Sequence, residues 1–177
     1  MVMKSSYVDR AVRFLDMILP YIDGNLFNTC KVRKVIWDYN VGHKRNIQVM
    51  WGAVRCALIT SDYVIKWDYN LNALENIGGC YKEVEMYKLA KSEGYAYLLA
   101  EVTPVFRNGI QFNIMPRYNM EARKPCIENL VDYKEYHWLR KHIDDLHCGN
   151  YTIKNGSLVI VDYACYSDED SNTTYST

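Results

Sequence analysis

Apolar and polar positions divide the chain into stretches of different period. In residues 8–22, Val8, Ala11, Val12, Leu15, Ile18 and Leu19 recur at helical spacing, which predicts an amphipathic helix ended by Pro20. Residues 31–66 carry Val32, Val35, Ile36, Val49, Val54, Ala57, Leu58, Ile59, Val64 and Ile65 in short β-branched runs. Breaks at Asn40-Val41-Gly42, at Gly52 and at Ser61-Asp62 predict two to four antiparallel strands there. A helical stripe returns after Gly78-Gly79: Cys80, Val84, Tyr87 and Ala90 share one side of residues 80–93, and Gly94 stops it. Apolar runs at 97–106 and 110–115 flank Asn108-Gly109, a strong hairpin signal, and Pro116 closes the second run. Residues 127–143 read as a helix through Leu130, Tyr133, His137, Trp138 and Ile143. Asn155-Gly156 then joins Tyr151–Ile153 to Leu158–Val161 as a second hairpin. From Ser167 onward the chain is polar and without period, which predicts disorder. Strands followed by mixed helices, with no alternating strand–helix–strand pattern, predict an α+β fold.

Composition narrows the function classes. The chain has 177 residues, 49% of them apolar and 24% charged, which suits one domain with a sizeable core. Lys plus Arg and Asp plus Glu each number 21, so there is no net cationic excess of the kind that coats nucleic acid. Zero net charge also provides little colloidal repulsion, which leaves self-association or a protein partner open. No run approaches the roughly 18 apolar residues of a membrane span. Asp9, Arg10, Arg13 and Asp16 interrupt the N-terminal apolar run, so no signal peptide is expected. The six cysteines are scattered without a Cys-x-x-Cys pair, as in a reduced, cytoplasmic chain. The 16 tyrosines suit cores, interfaces and aromatic platforms alike and do not choose among them.

The densest chemistry lies between the last helix and the last hairpin, in Asp144-Asp145-Leu146-His147-Cys148-Gly149-Asn150 and Asp162-Tyr163-Ala164. The hairpin at Asn155-Gly156 returns the chain, so Asn150 and Asp162 are expected at the same end of it. One amide carbonyl and one carboxylate form an oxygen-rich pair suited to a hard cation such as Mg²⁺. His147 reads as a loop residue bonded to nearby backbone, with general-base duty the rival reading. His137 and His142 do not share a helix face, so they are not expected to hold a metal together.

Asp145-x-x-x-x-Asn150 followed by Asp162-Tyr163-Ala164 resembles the catalytic loop and metal-binding triplet of protein-kinase-like proteins. The form Asp-Leu-His-x-Gly-Asn is closest in flavour to aminoglycoside-phosphotransferase-like and phage-encoded kinase-like proteins. The resemblance implies that Asp145 is the catalytic base and that Asn150 and Asp162 are the metal ligands. Tyr63-Val64-Ile65-Lys66 is similar to the family's Val-Ala-Ile-Lys strand, which implies that Lys66 holds ATP phosphates. A Glu on the following helix orients that Lys. Glu83 borders the buried stripe, whereas Glu85 is turned about 200° from it, so Glu83 is expected in the role and Glu85 is its rival. Residues 110–118 resemble the last small-lobe strand and the hinge, with Met115, Arg117 and Tyr118 at the adenine edge.

Three departures accompany the resemblance. Ile143 stands where the family has the His of His-x-Asp, and the metal triplet ends in Ala164 rather than Gly. The Gly-rich phosphate loop is reduced to Gly42 and Gly52, with His43-Lys44-Arg45 between them, and Gly42 is the expected phosphate contact. The implied organisation is a helical extension over 1–30, a small lobe and hinge over 31–118, a truncated helical lobe over 119–166 and a disordered tail over 167–177. The implied function is a minimal ATP- and Mg²⁺-dependent phosphotransferase, phage-encoded and acting in a host cytoplasm on a protein substrate. The alternative is a pseudokinase scaffold that binds and modulates a host or virion protein.

Overall fold

The computed structural model describes residues 6–22, 28–52, 55–69, 78–121 and 123–164. The tail from Ser167 lies outside them. In chain order the elements are α1 (Tyr7–Ile22), α2 (Thr29–His43), β1 (Gln48–Trp51), β2 (Arg55–Ile59), β3 (Tyr63–Asp68), α3 (Gly79–Glu93), β4 (Thr103–Arg107), β5 (Ile110–Pro116), α4 (Tyr133–His142), β6 (Tyr151–Lys154) and β7 (Ser157–Ile160). The expected α+β class is observed. A five-stranded antiparallel sheet has the order β1-β2-β3-β5-β4, and β6 and β7 form a separate two-stranded ribbon.

Strand alternation divides this sheet into two faces with different tasks. In register, Cys56 pairs with Trp67, Leu58 with Ile65, Trp67 with Phe112 and Ile65 with Ile114. These residues form one apolar face that packs with Leu15 and Ile18 of α1 and Val32 and Ile36 of α2. The opposite face carries Arg55, Ala57, Lys66, Asn113 and Met115, and α3 packs on part of it. A second core joins Val84, Met86 and Ala90 of α3 to Trp138 and Leu139 of α4, Leu158 and Ile160 of β7, and Tyr163.

Both predicted hairpins form. Asn108 and Gly109 adopt φ of 52° and 77°, and Asn155 and Gly156 adopt 53° and 83°. Two successive residues of positive φ match the right-handed twist of the flanking strands, and Asn-Gly is the dipeptide that tolerates them best.

Three expectations are corrected. Residues 31–43 form a helix, not a strand, and Gly42 lies in its last turn. Val32, Val35, Ile36 and Tyr39 repeat at helical spacing, and Asn28 caps the helix by accepting from the Lys31 amide at 3.1 Å. Helix α1 shares the sheet's core, and α2 runs across position 30. Helix α1 passes through Pro20, which sits in the last turn where its missing N–H forfeits one intrahelical bond. The helix expected over 127–143 is a 3-10 turn at Ile127–Asn129 followed by α4. Asp132 starts α4 by a capping box: its carboxylate accepts from the Glu135 amide at 2.8 Å, and Glu135 accepts from the Asp132 amide at 2.7 Å.

Candidate functional site

Lys66 lies between the core-facing Ile65 and Trp67 on β3, so strand alternation turns its side chain to the opposite face, which α3 partly covers. It is only 8% exposed, and Glu83 of α3 is 0% exposed. Charges so deeply placed need partners. Lys66 Nζ donates to Glu83 Oε1 at 2.7 Å and to the Val161 carbonyl at 2.9 Å. Glu83 Oε2 accepts from Asn113 Nδ2 at 3.0 Å, and Asn113 is the register partner of Lys66 on β5. Glu83 is therefore the helix residue that meets Lys66. Glu85 is turned outward and accepts from Lys88 at 2.8 Å.

Arg55, which no motif pointed to, completes the cluster. Its side chain is 13% exposed. Nη1 donates to Glu83 Oε1 at 3.2 Å, and Nη2 donates to Asp162 Oδ1. Lys66 Nζ lies 3.8 Å from the same Asp162 oxygen. Burial alone would lower the Arg55 pKa, but the carboxylates of Glu83 and Asp162 outweigh it and push the pKa up. For Asp162, burial acts to raise the pKa, and the charges of Lys66 and Arg55 prevail and hold it below the usual carboxylate value. Two cations and two carboxylates thus join β2, β3, α3 and the segment after β7. The signal for Arg55 in the sequence was strand alternation: Arg55, Ala57 and Ile59 occupy the face that Lys66 shares.

The loop before β6 is built around Asn150. Its Nδ2 donates to the Asp145 carbonyl at 2.9 Å and to Asp145 Oδ2 at 3.0 Å. Its backbone carbonyl accepts from the Val161 amide at 2.7 Å, which brings the Asp162 segment beside it as the hairpin argument expected. Gly149 N–H donates to His147 Nδ1 at 2.9 Å. That nitrogen is the acceptor, so the neutral ring carries its proton on Nε2, which lies 3.5 Å from Asp145 Oδ1. His147 thus bonds loop backbone. Behind the loop, buried Tyr163 donates to the Ala100 carbonyl at 2.6 Å and fixes the triplet to the second core.

A cleft of about 530 Å³ opens between the sheet and the two segments that flank the β6–β7 ribbon, the loop before β6 and the stretch after β7. Lys66, Met115, Arg117, Tyr118, Asp145, Asn150 and Asp162 all line it, together with Arg55 and Gly52. Glu83 stands behind Lys66. Gly42 is not among the lining residues, and Lys44 and Arg45 border a different groove, with Arg10 and Arg13 of α1. The predicted phosphate contact at Gly42 is therefore not brought to the cleft; Gly52, at the β1–β2 turn, is.

Asn150 presents an amide oxygen and Asp162 a half-exposed carboxylate, but one oxygen of that carboxylate is taken by Arg55 and lies close to Lys66. Each pair of unit charges about 4 Å apart is worth about 4 kcal/mol at an effective dielectric near 20. A doubly charged ion on that Asp162 oxygen would have to displace Arg55 and would meet Lys66 3.8 Å from the same oxygen. As arranged, these residues do not fit Mg²⁺.

No protein-family model matches the sequence, and no curated protein matches it. No described helix is long and apolar enough to cross a membrane.

Proposed function

We propose that the chain is a minimal protein-kinase-like domain that binds ATP in this cleft and passes its γ-phosphoryl group to a hydroxyl of a protein. One observation carries the reading: Lys66, braced from behind by buried Glu83, converges on one cleft with Asp145, Asn150 and Asp162. The sheet order and the placement of α3 between β3 and β4 support it as a small lobe with its regulatory-type helix. In this reading Lys66 meets phosphate oxygens, and the chain at Met115–Tyr118 meets the adenine edge. Asp145, half exposed and held on its other side by Asn150, receives the acceptor hydroxyl's proton as its oxygen attacks phosphorus and ADP leaves. Positioning and charge supply most of the rate in such a transfer.

A second reading, the pseudokinase scaffold, is favoured by Arg55 on Asp162, which closes the oxygen that a metal would use. Calorimetric titration of ATP and transfer of ³²P from ATP to protein separate the two, with Lys66→Met and Asp145→Asn beside the wild type. The phosphotransferase reading expects wild-type transfer, Asp145→Asn binding without transfer, and loss of binding in Lys66→Met. Binding without transfer in the wild type favours the scaffold, and no binding at all removes the phosphotransferase reading.

A further inference from the structure

We propose that Arg55 is a built-in cation of the cleft, and that the site takes a nucleoside triphosphate without a divalent metal ion. The inference rests on the nucleotide reading and deepens it. Arg55 and Lys66 are diagonal neighbours on β2 and β3, since Lys66 pairs with Ala57, and both line the cleft. A guanidinium is always charged and presents five donors in a planar fork. Glu83 and Asp162 engage one donor on each of its terminal nitrogens, so the fork keeps donors for phosphate oxygens.

The place for Arg55 is shaped in the backbone around it. A Cβ at Gly79 would lie 2.9 Å from Arg55 Cδ and 3.2 Å from its Nε, so the start of α3 leaves room for this side chain where any other residue would press on it. The charge balance points the same way. Without Arg55, a polyphosphate entering the cleft meets the bare carboxylate of Asp162, and a metal ion is needed between them. With Arg55 in contact, the two carboxylates Glu83 and Asp162 are matched by Arg55 and Lys66, so the cluster presents no net negative charge to a polyphosphate. A planar fork matches phosphate oxygens as well as it matches a carboxylate.

The test is calorimetric titration of ATP into the full chain in EDTA and, separately, in excess MgCl₂, for wild type, Arg55→Gln and Arg55→Lys. The wild type is expected to bind ATP with the same affinity in both media. Arg55→Gln is expected to lose roughly tenfold or more in EDTA, the scale of a lost charge-assisted contact, and to regain affinity with Mg²⁺ because Asp162 is released. Wild-type binding that needs Mg²⁺ overturns the role of Arg55 and leaves the nucleotide reading standing. Unchanged binding of Arg55→Gln in EDTA does the same. Absence of binding in both media overturns the inference together with the nucleotide reading. If Arg55→Gln fails to fold by circular dichroism, the wild-type comparison decides, with Arg55→Lys expected to retain metal-free binding.

Discussion

Glu83 is the residue on which the cluster turns, and replacing it with Gln is the sharpest perturbation of the fold. The substitution keeps the shape and removes one charge. In the native chain the Glu83 carboxylate accepts from Lys66 at 2.7 Å, from Arg55 at 3.2 Å and from Asn113 at 3.0 Å, with no exposed surface. Glu83→Gln leaves two buried cations to share the single carboxylate of Asp162, and it sets an amide N–H₂ against donors. Removing one partner of a buried pair costs about 3–5 kcal/mol. For a domain of this size each kcal/mol lowers Tm by about 2–4 °C, so the expected fall is roughly 6–20 °C. Glu85→Gln is the control: its pair with Lys88 is exposed, and its loss is expected to stay within about 0.5 kcal/mol. Thermal unfolding followed by far-UV circular dichroism reads both. Equal melting of Glu83→Gln and wild type, or an equal fall in Glu85→Gln, would refute the reasoning that Glu83 is the buried counter-ion of Lys66.

Three further outcomes are expected. Asp132→Ala removes the carboxylate that accepts from the Glu135 amide, leaving only the Asp132 amide's bond to the Glu135 side chain, and should cost about 0.5–2 kcal/mol in urea unfolding; no change would show that this cap does not hold α4. Gly156→Ala forces a Cβ into positive φ at the β6–β7 turn, and a loss of about 1–2 kcal/mol is expected from the urea midpoint, against none if the turn relaxes freely. Asp162 has its carboxyl pKa held below the ordinary value of 3.8 by Lys66 and Arg55, so its ionised form stabilises the fold in full above that ordinary value. That contribution is lost as pH falls through the lowered native pKa. Denaturation midpoints measured between pH 2 and 7 should therefore show an acid loss that is smaller in Asp162→Asn; an identical acid profile in the variant would contradict the pairing.

Much of this architecture is legible from local chemistry. The two Asn-Gly hairpins follow from the backbone conformation those residues tolerate, and α3 follows from its apolar stripe and the glycines at its ends. The placement of Asn150 beside Asp162 follows from counting along the second hairpin. Helix α2 is hidden by the β-branched Val32, Val35 and Ile36, whose weak strand preference tertiary packing overrides. Their spacing and the cap at Asn28 were the better signals. Glu83 was separable from Glu85 by helix geometry alone. Arg55 was not legible as a motif residue, because its role depends on register between β2 and β3 and on the return of the chain to Asp162, more than a hundred positions later. The same holds for Asn113, whose place beneath Glu83 is set by pairing with Lys66.

In the proposed function one cleft, lined by Lys66, Asp145, Asn150, Asp162 and the chain at Met115–Tyr118, takes the nucleotide. Titration of ATP into the isotope-labelled protein, followed amide by amide by NMR, tests it most directly. Shifts concentrated at Gly52, Lys66, Met115–Tyr118, Asn150 and Asp162, and absent in Lys66→Met, are the expected result. Shifts confined to the basic groove of Arg10, Arg13, Lys44 and Arg45, or no saturable shifts, would contradict it.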